Sequence, residues 1–384
     1  MKATLALQSL LCGLALATPV QKRQDLDLDA YEALAPAIVD VAPPVGDAAP
    51  QSTVTYNPTA VASVAAAAVT QNPEPASDDS LDIVTVAKRD VTCTTRTFNG
   101  PQVTTPADTP DAFVGYQPFA DAANTAAEAA NVPSGYAVVP GFVNLAATAQ
   151  APGYLTYVSS KLTSYNPSQC AAICETMAGC IAFNIFFERT PLVISPSTQV
   201  PDPNACPGTA TSPSATLIKC SFYGMPLAAT QAKNVGQFQG KFKVVYAGSN
   251  SYVRSSAPSL DGYEGPVSFG NASINAPAPV IDHGYLRTQT FGTNVPYDPS
   301  LCAASCEAQT QYNADHGTFG GAACIFFDAY LLYKNGVNPV FTCNYYSIPY
   351  GVSYAKNVGQ WNDQGDHWTI GSSYGYYAPG HYVP

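Results

Sequence analysis

One block of sequence occurs twice in this chain, and that repeat limits its architecture more than any other feature. Tyr165-Asn166-Pro167-Ser168-Gln169-Cys170-Ala171-Ala172-Ile173-Cys174-Glu175 returns as Tyr297-Asp298-Pro299-Ser300-Leu301-Cys302-Ala303-Ala304-Ser305-Cys306-Glu307. Ala-Lys-Asn-Val-Gly-Gln at 232–237 returns unchanged at 355–360, and Gly153-Tyr154-Leu155 has its counterpart in Gly284-Tyr285-Leu286. Three blocks in the same order, offset by 132, 123 and 131 residues (165 to 297, 232 to 355, 153 to 284), describe one cysteine-bearing unit used twice.

The blocks carry their own local signals. Asn166 or Asp298 is suited to N-cap a helix, with Pro167 or Pro299 as its first residue and Gln169 placed to complete a capping box. Cys170, Ile173, Cys174 and Met177 then share one helical face, with Gly179 as the stop. Cysteines four apart on one face point toward a sheet rather than toward each other. Downstream, Ile181, Phe183, Ile185 and Phe187 alternate with Cys180, Ala182, Asn184 and Phe186, a period of two that predicts a strand. The stretch from Cys324 to Tyr333 is its counterpart. Aromatic pairs follow Cys220 (Phe222-Tyr223) and Cys343 (Tyr345-Tyr346), and the Lys-Asn-Val-Gly-Gln blocks lead into closing strands at 242–246 and 368–370. Each unit therefore reads as one helix clamped onto a small antiparallel sheet, an α+β fold.

The two ends read differently. Lys2, the apolar run Leu5 to Leu16 and Ala15-Leu16-Ala17 have the order of a secretory signal cleaved after Ala17. Residues 18–89 hold two dibasic pairs, Lys22-Arg23 and Lys88-Arg89, and ten acidic residues lie between them. This stretch, rich in Ala, Val, Pro and Asp, is expected to stay disordered and to be a pro-segment processed after Arg23 and Arg89. The expected divisions are thus a signal over 1–17, a leader over 18–89, an N-terminal extension over 90–135, and units over 136–250 and 251–384.

Export also fits the composition. Eleven cysteines are present; with Cys12 in the signal, ten remain, which suits an oxidising compartment and five disulfides. From Asp90 on, 17 acidic side chains outnumber 11 basic ones, a net of −6 that argues against nucleic acid or an anionic membrane as partner. Only 11% of the chain is charged, yet it holds 24 Tyr and 16 Phe, which suits a β-rich protein with a hydrogen-bonding surface. Asn271-Ala272-Ser273 is a glycosylation sequon at Asn271.

A Cys-x-x-x-Cys helix, a Cys-led aromatic strand (Cys180-Ile181-Ala182-Phe183-Asn184-Ile185) and a closing Cys strand resemble the PAN/apple modules of secreted filamentous-fungal proteins. The resemblance covers roughly 136–250 and 251–384. It implies two disulfide-stapled PAN/apple-like modules and the nested pairing Cys170–Cys220 with Cys174–Cys180, then Cys302–Cys343 with Cys306–Cys324. Cys93 and Cys206 are left over for each other. It also implies a non-enzymatic recognition protein that binds an extracellular glycan or protein. The alternatives are a structural cell-wall or matrix component, or a secreted hydrolase.

Nothing in the sequence assembles catalytic chemistry. Three of the four histidines follow an aspartate (Asp282-His283, Asp315-His316, Asp366-His367), but adjacent side chains rarely face each other, and no counterpart exists in the first unit. There is no Gly-x-Ser-x-Gly elbow and no phosphate loop. Glu188 and Asp328 are not a pair that spacing alone would bring together. No cofactor or metal is expected. The candidate ligand contacts are Asn234, Gln237 and Phe238 with their counterparts Asn357, Gln360 and Trp361. The Asn and Gly of these blocks suit a turn, or the amides offer a polar shelf to a glycan. The ring that follows either packs in the core or presents a stacking face.

Overall fold

In the computed structural model the described residues are 26, 28, 31, 42–45, 56–67, 69, 94–95, 98–101, 108–159, 161–194, 213–239, 241–277, 284–292 and 295–383. Ala17, Arg23, Arg89, Cys93, Cys206 and His283 lie outside them, so the processing sites and the Cys93–Cys206 pairing do too.

The chain runs through α1 (Pro58–Ala67), β1 (Thr94–Thr95), α2 (Pro110–Val114), α3 (Gln117–Ala127), β2 (Tyr136–Val138), β3 (Thr148–Ala149), β4 (Tyr154–Val158), α4 (Pro167–Glu175), β5 (Ala182–Pro191), β6 (Val193–Ile194), β7 (Ser214–Tyr223), β8 (Ala232–Asn234), β9 (Gln237–Gln239) and β10 (Phe242–Arg254). It then runs through β11 (Glu264–Gly270), β12 (Ser273–Ile274), β13 (Tyr285–Thr290), α5 (Pro299–His316), β14 (Phe326–Lys334), β15 (Val337–Tyr346), β16 (Ala355–Asn357), β17 (Gly359–Trp361) and β18 (His367–Tyr377).

The repeat in the sequence is a repeat of topology. One sheet has the order β2-β10-β5-β7-β4 with β9 added on β10; the other has β11-β18-β14-β15-β13 with β17 added on β18. All pairings are antiparallel. Each sheet carries a two-stranded ribbon at matching positions, β3 with β8 and β12 with β16. Because β10 ends at Arg254, the first sheet extends past the expected division at 250.

The helix caps are those the sequence predicts. Asn166 accepts the Ser168 N–H at 2.9 Å and Asp298 accepts the Ser300 N–H at 3.0 Å, each with proline at the first helical position. Gln169 makes no capping box; it bonds Thr163 instead (3.1 Å). The helix α4 ends at Glu175, so Met177 lies beyond it, and Gly179 (φ +71°) follows. Four disulfides join Cys170–Cys220, Cys174–Cys180, Cys302–Cys343 and Cys306–Cys324, with Cα separations of 6.0, 5.3, 5.8 and 5.3 Å. By chain entropy these loops contribute about 4, 2, 4 and 3 kcal/mol respectively. In each half the first helix cysteine is fastened to the middle of a central strand, and the second to the residues that lead into its neighbour.

Each sheet has two covered faces. In the first half Phe183, Ile185, Phe187, Ile218, Phe222 and Tyr252 pack under α4 and also under α2 and α3 through Phe113 and Phe119. Helices α2 and α3 are therefore part of the first unit's core: Asn250 Nδ2 donates to the Ala123 carbonyl (2.6 Å) and the Tyr252 hydroxyl to that of Ala126 (2.9 Å). In the second half Phe327, Leu331, Phe341 and Tyr345 pack with Leu301 of α5. The halves meet at the same cluster, which takes in Ile181 and Met225, and the Tyr297 N–H donates to the Gly224 carbonyl at 2.8 Å.

One expectation is corrected. The leader is ordered where it is described: α1 packs on α5, Ala65 is buried in the second-half cluster, and Leu26 and Val45 are buried too. The Ala- and Val-rich composition is too poor to build its own core, but it is apolar enough to dock on surfaces that the two units provide.

Candidate functional site

The duplicated Lys-Asn-Val-Gly-Gln blocks form the β8–β9 and β16–β17 turns. In each, the asparagine Oδ1 accepts the glycine N–H two residues on, Asn234 to Gly236 (3.3 Å) and Asn357 to Gly359 (3.2 Å). Gly236 (φ +103°) and Gly359 (φ +118°) press against the carbonyls of Val244 and Trp368, where a side chain would collide. Asn234 also donates to Thr148 Oγ1 (2.9 Å) and to the Tyr246 hydroxyl (3.3 Å), and Asn357 is buried. The asparagines are thus part of the scaffold, fixing the turn and tying it to the two-stranded ribbon. Gln360 Oε1 accepts the Leu26 N–H (3.3 Å), and Gln237 is exposed.

The rings that follow are not core residues. Phe238 is 69% exposed and Trp361 66% exposed, and the central valines Val235 and Val358 are exposed with them. A period-two reading would have placed one of each pair inward. Both point out because β9 and β17 are short edge strands with no layer among the described residues covering that side. The Trp361 ring stacks on His367 at 4.3 Å and 10°, which fixes its plane while leaving its other face to solvent. Polar groups from the β14–β15 turn brace the β17–β18 turn that carries His367. Asp366 pairs with Lys334 Nζ at 3.0 Å and accepts from Asn335 Nδ2 at 2.8 Å and from Asn362 Nδ2 at 3.3 Å. Asn335 Oδ1 accepts the His367 N–H at 2.8 Å. The hydrogen bond from Asn335, with those from Lys334 and Asn362, holds the Asp366 carboxyl below its ordinary range. This network is not legible in the sequence, since Asn335 and Asp366 are 31 residues apart.

The two described Asp-His dipeptides behave as adjacent side chains do. Asp366 faces Lys334 and Asn335 while His367 faces Trp361, and His316 stacks on Tyr312 four residues earlier. Glu188 and Asp328 sit in different sheets: Glu188 is paired with Lys219 (3.0 Å), and Asp328 accepts from Ile274 N–H and the Ser373 hydroxyl. Among the described residues no three His, Cys, Asp or Glu side chains gather as a metal site. A cleft between α3 and the start of α4 includes Asp121, Asn131, Tyr165 and Asn166, and Asp121 is the one acidic residue lining it. Asn271 is exposed in the turn before β12, as a glycan acceptor must be, and Ser273 is buried. Among the described residues no helix is long and apolar enough to cross a membrane.

No protein-family model, curated protein or solved structure matches the chain.

Proposed function

We propose that this is an exported recognition protein of two PAN/apple-like modules that binds an extracellular glycan through the ring-bearing edge hairpins, Trp361 being the principal contact. The observation that carries this reading is the Trp361 ring, 66% exposed and held flat against His367. A pyranose offers an apolar C–H face and a rim of hydroxyls. An immobilised, exposed indole offers a stacking partner to the apolar face, and its N–H can meet a hydroxyl. Phe238 is the equivalent ring on the first module, so two contacts on one chain add avidity when a polymeric ligand spans them. Four disulfides and an acidic, weakly charged surface suit work outside the cell.

The test is a glycan array with wall polysaccharides, comparing the parent chain with Trp361→Ala, Phe238→Ala and the double variant. Losing a well-stacked ring is expected to weaken binding about tenfold or more, with an unchanged melting temperature because both rings lie on the surface. Equal glycan binding by the double variant and the parent would refute the proposal. Binding of a protein ligand alone would replace the glycan with a polypeptide partner.

A further inference from the structure

The second face of each sheet, turned away from α4 or α5, is covered by the leader, and it is covered at equivalent positions. In the first half Val45 packs on Phe186, Phe242, Val244 and Tyr246. In the second half Leu26, with Leu28 and Tyr31 beside it, packs on Tyr330, Leu332, Trp368 and Ile370. The register makes the correspondence explicit: Tyr246 lies opposite Glu188 as Ile370 lies opposite Leu332, and Val244 meets the turn glycine as Trp368 does. Phe186 and Tyr330 are each six residues beyond the matching cysteines, Cys180 and Cys324. One short run of chain therefore serves the same site twice.

The contacts resemble peptide recognition rather than loose coverage. Tyr31 meets Trp368 edge to face at 4.3 Å, and the Leu26 backbone N–H is bonded by Gln360. On the first sheet Lys219 Nζ, buried beside Glu188 and over the Tyr157 ring (4.2 Å), donates to the Pro44 carbonyl at 2.5 Å. Side-chain pockets combined with backbone hydrogen bonds are how a groove holds an extended segment. On the second sheet Trp368 Nε1 and Thr342 Oγ1 are buried with no hydrogen-bond partner among the described residues. Thr342 stands two strand positions from Asn344 where Lys219 stands two from Ser221, each just before its strand's cysteine. Two buried donors with no partner among the described residues suit the backbone carbonyls of an extended segment.

We infer that each sheet carries a peptide-binding groove, that Leu26, Leu28 and Tyr31 fill one groove and Pro44 and Val45 the other in the full chain, and that cutting at the dibasic pairs frees them for an extended apolar peptide of the same chemistry. The cut is hydrolysis by a dibasic-specific endoprotease. Water adds across the Arg23–Gln24 and Arg89–Asp90 bonds, leaving a carboxylate on each arginine and an amine on the next residue. No cysteine lies between residues 24 and 89, so no disulfide would retain the freed segment. These grooves are separate from the Trp361 platform and do not depend on it.

Trp368 reports directly on this, because the chain has only two tryptophans. In a Trp361→Phe background its emission and acrylamide quenching are measured in the intact chain, and again after cleavage and removal of residues 24–89, confirmed by mass. A synthetic peptide of residues 24–47 is then added back. The intact chain is expected to show a buried, poorly quenched Trp368. The processed chain should show a red-shifted one quenched several-fold more, and the peptide should reverse this saturably. A peptide with Leu26→Asp and Tyr31→Asp should bind at least about tenfold more weakly. A cut segment that stays bound through gel filtration, and is released by those two substitutions, also supports the groove. Should the processed chain unfold, the same two substitutions in the uncut chain carry the test, since they expose Trp368 while α1 stays in place. Unchanged quenching of Trp368 in that variant, or in the folded processed chain, overturns the inference.

Discussion

Asp328→Asn offers a sharp test of how the second module is held together. Asp328 is wholly buried in β14, where Oδ2 accepts the Ile274 N–H (2.9 Å) and Oδ1 the Ser373 hydroxyl (2.7 Å). Burial pushes its carboxyl from 3.8 up to about 7, and the two hydrogen bonds pull the other way without cancelling that. The folded state therefore holds a proton that the unfolded state releases between about pH 4 and pH 7. Stability from this group is fully present below the unfolded value and is lost as pH rises through about 7. The gap of roughly 3 units, at about 1.36 kcal/mol each, sets a ceiling near 4 kcal/mol; relaxation of the site reduces this to about 1–3 kcal/mol. The first module already contains the remedy. At the equivalent position Asn184 accepts the Ala149 N–H (2.9 Å) and donates to Ser249 Oγ (2.9 Å) and the Asn250 carbonyl (2.8 Å). Asparagine thus fits the clamp with no charge to bury. Thermal unfolding of parent and variant, disulfides intact, should show Asp328→Asn melting a few degrees higher at pH 8, the difference closing toward pH 4. A variant less stable at pH 8, or an offset independent of pH, would refute the reasoning.

Two other substitutions probe the scaffold around the candidate sites. Arg189, buried across β5, is held by Asp108 at 2.9 Å and lies over the Phe242 ring at 4.2 Å. Asp108→Ala leaves that guanidinium without its carboxylate and should lower stability by about 2–3 kcal/mol in a urea titration, whereas loss of an ordinary surface pair would cost under about 1 kcal/mol. Gly359→Ala puts a methyl group against the Trp368 carbonyl at φ +118°. It should cost more than about 1 kcal/mol and broaden proton resonances of the Trp361 hairpin, and a silent substitution would show that the turn is not needed to fix the ring.

Much of the fold was legible because it is written in local chemistry. Asn166, Asp298 and their prolines announce helices by satisfying backbone donors nearby, and the alternation from Ile181 to Phe187 announces a strand. Duplication then told which cysteines were comparable. The candidate site was half legible: the repeated turn was visible, but the exposure of Phe238 and Trp361 was not, because it depends on β9 and β17 being uncovered edges. The network bracing the turn was hidden, since Asn335 and Asp366 meet only after β14 and β18 pair. The leader misled for a different reason. Its composition argued against a core of its own, but composition does not say what surface it will meet. Leu26 and Val45 are isolated apolar residues in sequence and become buried only where a sheet face receives them.

Comparison of the two halves separates what the unit needs from what it is free to vary. Kept are the capped helix, both disulfides, the Asn-x-Gly turn and a polar clamp at Asn184 or Asp328. Changed are the side chains on the second face and at the edge. Glu188 and Lys219 form a buried ion pair where the other half has Leu332 and Thr342, Val244 stands where Trp368 does, and Phe238 where Trp361 does. A buried ion pair is at best weak support for stability, so replacing Leu and Thr by Glu and Lys on one of two like scaffolds has no folding rationale. It does give the first groove a cation that can hold a carbonyl, as Lys219 holds Pro44, and it leaves the second groove apolar with an indole donor. One backbone thus presents two chemically distinct recognition surfaces, and on the second face the differences fall on residues beside those that the leader packs against.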